Sequence, residues 1–410
     1  LLAAIDLAQR NGVPLPDELL QGLERMYEYY VAISMPDGRY PALNDSGSGS
    51  VRGTLARGAE LFPHRADFLY LATGGRRGVA PTRTSWVLPY AGFYMMRTGW
   101  EPEDSYLHFQ SGPFGSGHQH EDKLSMIVHA GGRTVLADAG NYSYDQSQWR
   151  RYVLSSRAHN VVLVDGLEQC SARDRASYVN WEPSPSRWLS NDAFDYAEGT
   201  YDAGFGREEA LQVRHTRQVV FAKPDHWVVV DTMVPEDDRE HLYEALFNLD
   251  ADDATLEDGN RTVAAVYGTR VFRVSGEGTA AVEARIARGQ ESPVVMGWLP
   301  TGQHNVLRPI PTAVFSWRAA GACAVAYVLQ PGGQSKPPTV VGLTRLDGQP
   351  EGVFAWDLAR SDGGVERVVR GPAGVTERVT GPLQTDGELA VVCSGKGGEV
   401  ERVLTVGGSE

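Results

Sequence analysis

The spacing of apolar and polar residues along the chain changes from a helical period to an alternating one near Val87. Before this point, apolar side chains recur every three or four positions, as on one face of an α-helix. After it, short alternating runs are separated by glycine-rich turns, as in antiparallel sheets. The predicted fold class is therefore α+β, with several domains in which helices precede a long series of strands.

Four helices are predicted in the N-terminal part. The sequence Asn11-Gly12 is a helix stop, and Pro16-Asp17-Glu18 suits the first turn of the next helix. The stretch from Tyr40 to Gly49 is rich in Gly, Ser and Asn and is predicted to be a loop. The predicted helices are Leu2 to Arg10, Pro16 to Val31, Leu55 to Leu61 and Arg65 to Thr73.

Strands without intervening helices predict antiparallel sheets, two of which would stack as a large sandwich. The segment from Pro331 to Pro338 is predicted to be a linker or long turn that leads to a last, small β-segment. The predicted domains are residues 1–86, 87–330 and 331–410. The predicted strands are Ala91 to Arg97, Tyr106 to Gln110, Ser125 to His129, Arg133 to Ala137, Asn160 to Val164, Gln212 to Ala222, Trp227 to Met233, His241 to Leu249, Val263 to Val274, Ala280 to Ile286, Ala313 to Trp317 and Cys323 to Leu329.

Composition narrows the class of protein. The 410 residues are 42% hydrophobic and 22% charged, and no apolar run is long enough to cross a bilayer. A formal net charge of −14 argues against nucleic acid as a partner, but local arginines can still bind an anionic sugar polymer. Three widely spaced cysteines predict no disulfide framework. Because the chain starts at Leu1 within a helical pattern, we expect it to be a fragment whose beginning is missing.

Chemically versatile residues are concentrated between Ser111 and Gln169. On a strand, His118 and His120 would share one face at a spacing of roughly 6.6 Å. Two imidazoles and a carboxylate form a common ligand set for Zn²⁺, and Asp138 and His159 are expected where strands meet turns. Hydrogen-bonded residues at strand ends would produce the same pattern, so the spacing alone leaves both interpretations open.

Two families of metal enzymes offer alternative interpretations of the motif His-Gln-His-Glu-Asp. Dinuclear hydrolases of the metallo-β-lactamase type normally have a histidine after the aspartate, where this chain has Lys123. A cupin would have a glutamate a few residues beyond the second histidine, where Leu124 and Ser125 stand. Neither pattern fits well.

The order of motifs in this segment resembles the heparinase II/III-like family of polysaccharide lyases, which includes heparin, heparan and alginate lyases. The resemblance rests on G-x-GHxHxDxLS, a GGR turn, D-x-G followed by a tyrosine, W-R-x-Y, and S-x-x-AHN-x-V-x-VDG-x-x-Q. It is strong between about Trp100 and Gln169. It implies that His120, Asp138 and His159 hold a structural Zn²⁺. It also implies two catalytic residues in the cleft, His118 as a partner for the substrate carboxylate or for proton transfer and Tyr144 as a secondary donor.

The resemblance also implies an architecture and further contacts with substrate. The helices would be the end of an (α/α) toroid, and the loop with Asn44 and Asp45 would approach the substrate. Arg97 and Arg151 would contact a sugar or its carboxylate, and Trp149 with its basic neighbours looks like a sugar-binding edge. Most groups that neutralise the substrate carboxylate and transfer protons would lie in toroid helices before Leu1, so the chain would carry half of the cleft.

Two further expectations concern the surroundings of the ligands and the substrate. Asp122 and Asn160 are candidates to orient the ligand imidazoles. Relatives often have Phe-His-Leu where this chain has Phe247-Asn248-Leu249, so substrate specificity is expected to differ if that histidine binds substrate.

The function implied by the resemblance is cleavage of a uronic-acid polysaccharide by β-elimination. A non-catalytic carbohydrate-binding relative and, less favoured, a metal-dependent hydrolase are the alternatives. The implied partner is an acidic polysaccharide or oligosaccharide, the implied location is the periplasm or the outside of the cell, and a homodimer is compatible with the family.

Overall fold

The computed structural model of the protein describes residues 2–114, 117–169, 184–333, 337–372, 377–378, 384–385 and 387–407. Along the chain, helices come first, antiparallel sheets follow, and a separate sheet forms the C-terminal part. The strands contain far more of these residues than the helices do. None of the helices in the described ranges is long and apolar enough to cross a membrane.

The N-terminal part contains the four predicted helices and a short two-stranded ribbon between the second and the third. Their shared apolar core includes Tyr27 and Phe68, whose ring centroids are 6.0 Å apart. Trp86 and Trp100 belong to the same core, so the helices pack on the region of the first sheet. The elements are α1 (Leu2–Arg10), α2 (Asp17–Ile33), β1 (Arg39–Tyr40), β2 (Gly49–Ser50), α3 (Arg52–Leu61) and α4 (Ala66–Thr73).

Five strands then form a sheet in which each strand pairs with the next along the chain. A short helix and a short strand follow. The helix was not predicted, because seven residues make only two turns and a period of 3.6 does not show over that length. The elements are β3 (Trp86–Leu88), β4 (Phe93–Arg97), β5 (Tyr106–Gln110), β6 (Met126–Ala130), β7 (Arg133–Leu136), α5 (Gln148–Leu154) and β8 (Val162–Val164).

The largest sheet has eight strands, and a four-stranded sheet that includes β8 packs against it. The following strands are β9 (Trp188–Ser190), β10 (Phe194–Tyr201), β11 (Val213–Ala222), β12 (His226–Pro235), β13 (Glu240–Asn248), β14 (Asp253–Glu257), β15 (Thr262–Tyr267), β16 (Arg270–Gly278), β17 (Glu283–Arg288), β18 (Trp298–Pro300), β19 (Leu307–Pro309), β20 (Pro311–Ala320) and β21 (Cys323–Gly333). The order in the large sheet is β14-β15-β16-β21-β12-β11-β10-β9, and in the smaller one β17-β20-β13-β8.

One strand prediction in the large sheet is wrong. The apolar stretch from Val263 to Val274 was expected to be continuous, but it is the hairpin of β15 and β16. The chain reverses at Gly268, which has a φ of 59°. Glycine adopts this left-handed conformation without the steric cost that a side chain would add, so a single glycine was enough to divide the run.

The two faces of the eight-stranded sheet bury different cores. On β11, Val219 and Phe221 point into the core shared with the four-stranded and five-stranded sheets. Val220 and Ala222 point the other way, into a core shared with the C-terminal sheet. The period of two therefore places apolar residues on both faces, which is why β11 reads as a nearly continuous apolar run.

The C-terminal sheet has five strands in the order β22-β23-β24-β27-β28, and β25 and β26 form a separate pair. The predicted linker from Pro331 to Pro338 begins inside β21, and its residues 334–336 lie outside the described residues. Cys323 and Cys393 are buried and free, and Cys170 lies outside the described residues. The strands are β22 (Val340–Arg345), β23 (Phe354–Arg360), β24 (Val365–Arg370), β25 (Glu377–Arg378), β26 (Gln384–Thr385), β27 (Leu389–Ser394) and β28 (Val400–Val406).

A buried histidine at the start of β13 joins two turns of the fold. His241 bonds through Nδ1 to Asp165 Oδ2 at 2.8 Å and through Nε2 to Asp237 Oδ1 at 2.7 Å. Both carboxylates can only accept, so the ring must be doubly protonated to donate twice. Burial lowers the pKa of His241, but the bonds to the two carboxylates raise it by more than burial lowers it. The net shift of the pKa is upward.

This contact predicts a stability that falls at alkaline pH. Because the pKa of His241 is raised in the folded state, its contribution is complete below the unfolded pKa of about 6.5 and is lost as the pH rises through the folded pKa. We expect the urea midpoint of the protein to fall over this range and that of His241→Gln to fall less. Urea titrations between about pH 6 and about pH 9 measure this. Parallel curves for the two proteins would contradict it.

Candidate active site

Loops from four parts of the chain meet beside α5 and carry the polar residues of the site. Gly140 permits one of these approaches, because a Cβ there would lie 2.6 Å from the carbonyl oxygen of Ser46 and 2.7 Å from Cβ of Ala42. Its φ of 55° also favours glycine. The D-x-G turn and the loop that contains Asn44 and Asp45 therefore pack directly against each other.

His120, Asp138 and His159 form a buried cluster of possible metal ligands. Each offers one ligand atom, and these atoms all lie within 4.8 Å of one another. Nδ1 of His159 is 2.8 Å from Oδ2 of Asp138, and the two imidazole ring centroids are 5.2 Å apart. The fold thus brings together the three residues that the family resemblance implied as ligands.

The hydrogen bonds around this triad suit a cation. Nε2 of His159 is 3.1 Å from the carbonyl oxygen of Val153 and Nδ1 is 2.8 Å from Asp138, and since both partners can only accept, the ring carries both protons until a cation takes the place of the proton on Nδ1. Nε2 of His120 bonds to Asp45, while its buried Nδ1 has no hydrogen-bond partner among the described residues. Two ring nitrogens and one carboxylate oxygen are a donor set that Zn²⁺ prefers. The residues therefore fit a zinc ion.

The charges of the cluster also compensate one another without a cation. Burial lowers the pKa of His159, but the Asp138 carboxylate raises it more, to about 9. Burial raises the pKa of Asp122, which the charge of His159 only partly offsets, and in the described part of the chain its buried Oδ2 has no hydrogen-bond partner. Within the described residues Asp122 makes no bond to either ligand imidazole, so its predicted orienting role has no contact to support it.

Asn160 holds the backbone beside the ligands and does not contact their imidazoles. Its Nδ2 donates to the carbonyl oxygens of Met126 and Ala137 at 2.7 and 2.8 Å. Its Oδ1 accepts from the backbone N–H of Asn248 at 2.7 Å, and Asn248 Nδ2 donates to the carbonyl oxygen of His159 at 3.0 Å. Asn248 is buried and supports the loop that carries His159, and the expected difference in substrate specificity at this position stays a prediction.

Beneath these loops lies a buried ion pair from the large sheet. Nε and Nη2 of Arg217 bond the two carboxylate oxygens of Asp231, each at 2.7 Å. Nη1 of Arg217 donates to the carbonyl oxygens of Leu124 at 2.8 Å and Asn160 at 2.6 Å. One side chain thus ties β11 and β12 to the chain segments that follow His120 and His159.

His118 and Tyr144 lie together at the surface. The side chain of His118 is 72% exposed and Tyr144 is 66% exposed. Tyr144 Oη is 3.3 Å from Nδ1 of His118, and the rings meet edge to face with centroids 5.8 Å apart. The predicted strand at His118 is wrong, because the residue has a φ of 55° in a loop. This left-handed conformation exposes His118 while His120, two residues later, is buried.

Asp45 is the centre of the polar network. Its carboxylate accepts from Arg150 through Nη1 and, at 2.7 Å, through Nη2. Nδ1 of His118 is 3.0 Å from Oδ2, and Nε2 of His120 is 3.1 Å from Oδ1. Burial raises the pKa of Asp45, but the bonds from His120 and Arg150 hold it well below its usual range. The carboxylate therefore stays ionised.

The comparisons with known proteins agree with this arrangement. The model for the heparinase II/III-like C-terminal domain matches residues 80–302, more than half of the 410 residues. The chain belongs to the heparinase II/III-like family. The model for the heparinase II/III N-terminus matches residues 1–70 as well, so family models cover the helices and most of the large sheets.

Several lyases are similar to this family member. A heparin-sulfate lyase of Pedobacter heparinus is 25% identical over 228 residues, which are 54% of this chain and 32% of that protein. One of Bacteroides stercoris is 24% identical over 246 residues, 56% of this chain and 34% of that protein. The crystal structure of a heparan sulfate lyase from Pedobacter heparinus has a TM-score of 0.73 at 20% identity and covers 96% of this chain and 56% of that one. The chain thus spans about a third of the length of the curated relatives.

One residue predicted to bind substrate in this heparinase II/III-like chain has a different role. Arg97 is fully buried, and its guanidinium donates to the carbonyl oxygens of Ala32, Ser34 and Thr84 at 2.7, 3.0 and 2.8 Å. It also lies 4.3 Å from the ring centroid of Trp100. It joins the helical region to the first sheet and cannot contact a polymer, so the prediction for Arg97 is wrong.

The remaining predicted contacts lie on or near α5. Trp149 is half-buried against Trp298, with ring centroids 5.0 Å apart. Arg151 is exposed and donates from Nη1 to the carbonyl oxygen of Gln146 at 2.6 Å. Asn44 uses its Oδ1 to accept from the backbone N–H of His120 at 3.3 Å. Substrate binding by these three residues stays a prediction.

The buried face of the site adjoins a groove of about 530 Å³ that Asp138 helps to line. Its walls include the guanidinium groups of Arg39, Arg133 and Arg308. Asp250 Oδ1 accepts from Arg133 at 2.6 Å and from Arg308 at 2.5 Å. Three aspartates, Asp37, Asp138 and Asp250, line the groove together with these arginines.

Proposed function

We propose that this chain is part of a polysaccharide lyase that cleaves uronic-acid-containing polysaccharide by β-elimination. The observation that carries the proposal is the pair of exposed side chains, His118 and Tyr144, within 3.3 Å of each other and joined to a buried ligand triad through Asp45. A surface imidazole next to a phenol provides both a proton acceptor and a proton donor at one place.

Elimination at a uronate requires the protein to neutralise the substrate carboxylate, to accept the C5 proton and to donate a proton to the leaving oxygen. The proton at C5 leaves, its electron pair forms the C4–C5 double bond, and the bond from C4 to the linking oxygen breaks. Donors must first neutralise the substrate carboxylate, because its charge makes the C5 proton less acidic. His118 and Tyr144 are proposed as the groups that exchange protons with C5 and the leaving oxygen, while Arg151 and Asn44 are proposed as donors to the sugar.

The names of the relatives suggest which polymer to test first. Proteins named heparin-sulfate lyase and heparan sulfate lyase match this chain by sequence and by fold. A sulfated glycosaminoglycan carries carboxylates and sulfates, which suit the arginines of the groove beside Asp138. We therefore propose heparin or heparan sulfate as the first substrate class, with alginate, chondroitin and hyaluronan as comparisons.

Ultraviolet absorbance of the complete gene product incubated with each polymer tests this function. β-Elimination forms an unsaturated uronate that absorbs in the ultraviolet, whereas hydrolysis forms reducing ends without that absorbance. A rise in absorbance with one polymer supports the proposal. Reducing ends without absorbance would favour a metal-dependent hydrolase, and binding without any product would favour a carbohydrate-binding relative.

We also propose that His120, Asp138 and His159 bind a structural Zn²⁺. The support is their geometry together with the buried, unpartnered Nδ1 of His120. When bound, the ion would cross-link the loops that carry His118 and Tyr144. It would not take part in the reaction of the substrate. The ligands belong to three separate segments of the chain, so the ion would fix their relative positions.

Removal of the metal should destabilise the protein. A ligand that binds only the folded state at a thousand times its Kd contributes about 4 kcal/mol, so a chelator should lower the melting temperature clearly. Asp138→Asn should melt lower and respond little to the chelator, while an exposed control, Asp17→Asn, should respond like the parent protein. Calorimetry with and without chelator, together with metal analysis, provides the comparison. Purified parent protein with no bound metal and no response would contradict the proposal.

The proposal also covers the architecture of the domains, the cellular location and the oligomeric state of the protein. We infer that α1 to α4 are the end of an (α/α) toroid, supported by the match of residues 1–70 to the N-terminal model, and that the large sheets form a sandwich. A polymeric substrate suits a periplasmic or extracellular location, which fractionation of the source cells tests. Analytical ultracentrifugation tests the homodimer.

A further inference from the structure

We propose that Asp45 is a positioning residue that fixes the tautomers of His118 and His120 and so couples the metal centre to the proton-transfer pair at the surface. The proposal goes beyond the proposed function and rests on it, because it assigns separate roles to His118 and Tyr144. It also introduces Arg150 as the residue that holds Asp45 in place.

The carboxylate of Asp45 is saturated by four donors. Oδ1 is bonded by Nε2 of His120 and Nη1 of Arg150, and Oδ2 by Nδ1 of His118 and Nη2 of Arg150. An ionised carboxylate has about four acceptor positions, two on each oxygen. The side chain is only 3% exposed, so protein groups and not water occupy these positions.

This arrangement decides which nitrogen of His120 has a lone pair available for a cation. A carboxylate oxygen at 3.1 Å requires a proton on Nε2, because two lone pairs at that distance would repel each other. The neutral ring then has its lone pair on Nδ1, the buried atom that has no hydrogen-bond partner. Asp45 therefore keeps His120 in the form that binds a cation, as carboxylates commonly do behind ligand histidines.

The same argument applies to His118 on the other oxygen. Nδ1 lies 3.0 Å from Oδ2 of Asp45 and must donate its proton, which leaves the lone pair on the exposed Nε2. Tyr144 Oη, 3.3 Å from the same Nδ1, then faces an N–H and does not need to donate its own proton to His118. His118 Nε2 becomes the acceptor for the C5 proton, and the Tyr144 hydroxyl becomes the donor to the leaving oxygen.

The proton balance of the step is complete. The C5 proton goes to Nε2 of His118, the C5–H electron pair forms the double bond, and the C4–O electron pair takes the proton of Tyr144. This leaves an imidazolium and a phenolate side by side. Both side chains are mostly exposed, so exchange with water returns them to their starting forms.

Asp45→Asn is the direct test in the complete gene product. The amide keeps the size of the side chain but offers one acceptor oxygen and one donor N–H₂, so it cannot accept from all four groups. We expect zinc affinity to fall about 10- to 100-fold. We expect kcat on the best polymer to fall at least as much with little change in KM, because the substrate does not touch Asp45. Asp17→Asn, an exposed carboxylate on α2, is the matched control and should leave both unchanged.

A second measurement does not depend on the Asp45→Asn variant. In protein labelled with ¹⁵N-histidine and loaded with zinc, the ring shifts of His118, assigned by the signal lost in His118→Ala, should report a proton on Nδ1. A proton on Nε2 of His118 would overturn the proposal, as would an Asp45→Asn protein with unchanged kcat and zinc affinity. If no polymer is cleaved by the parent protein, the proposed function fails, but the tautomer and the zinc affinity still decide the role of Asp45.

Discussion

We expect His118→Ala to lower kcat by roughly 10²- to 10⁴-fold on whichever polymer the complete protein cleaves, which is the usual contribution of a positioned proton-transfer group. Among the residues that the structure describes, its ring bonds to Asp45 and Tyr144, and the side chain is 72% exposed, so its loss leaves no cavity. The melting temperature and the zinc content should therefore stay close to those of the parent protein. Steady-state kinetics by ultraviolet absorbance, with calorimetry in parallel, measures the effect.

His64→Ala is the matched control for this variant. His64 is another exposed histidine, with a side chain 65% accessible and a bond to Glu24 in the helical region. Its removal should leave kcat unchanged. If His118→Ala retained full activity in a protein whose parent cleaves the polymer, His118 would not be a catalytic residue, and proton transfer would belong to other groups.

The second large effect concerns stability. Arg217→Met should lower the free energy of unfolding by about 3–5 kcal/mol, because breaking a buried ion pair leaves an uncompensated charge. Arg217 and Asp231 are both fully buried, and of its bonds to described residues Asp231 would keep the one from His215 at 2.8 Å. Burial raises the pKa of Asp231, but Arg217 and His215 hold it well below its usual range. The variant also removes the donor to the carbonyl oxygens of Leu124 and Asn160, so the loops of the site should loosen.

Arg214→Met provides the comparison on the same strand. Arg214 is exposed on β11, so the same chemical change there should alter the free energy of unfolding by no more than about 0.5 kcal/mol. Urea denaturation of both variants measures the difference. Equal midpoints would mean that the buried pair contributes nothing beyond an exposed arginine.

Much of the local structure could be predicted because it depends on neighbours in sequence. The helix Leu2–Arg10 and the strand Tyr106–Gln110 have the predicted bounds. Their periods of 3.6 and 2 follow from which side chains share a face, and breakers such as Asn11-Gly12 mark the ends. The failures also have local causes, as at Gly268, where one residue with a positive φ turned a predicted strand into a hairpin.

The candidate site was predictable only in part. The motif order indicated the triad, and the structure places its ligand atoms within 4.8 Å of one another. The spacing of His118 and His120 suggested one strand face, but a left-handed φ at His118 separates the two side chains. The pairing of Asp45 with Arg150 joins residues 105 positions apart, for which no local pattern exists.

Arg97 and Arg217 show the difference between what the sequence predicts and what the tertiary structure decides. From composition alone, each is a basic residue that could bind an acidic ligand. In the structure both are fully buried and bonded to backbone carbonyls or a carboxylate. The sequence by itself determined that helices precede a long series of strands, the family, and the three residues proposed as ligands, because these depend on short-range periodicity and on a contiguous set of motifs. Only the tertiary structure decided which charged side chains are buried and which donors saturate Asp45, because burial and hydrogen-bond partners depend on segments that are distant in sequence and adjacent only after folding.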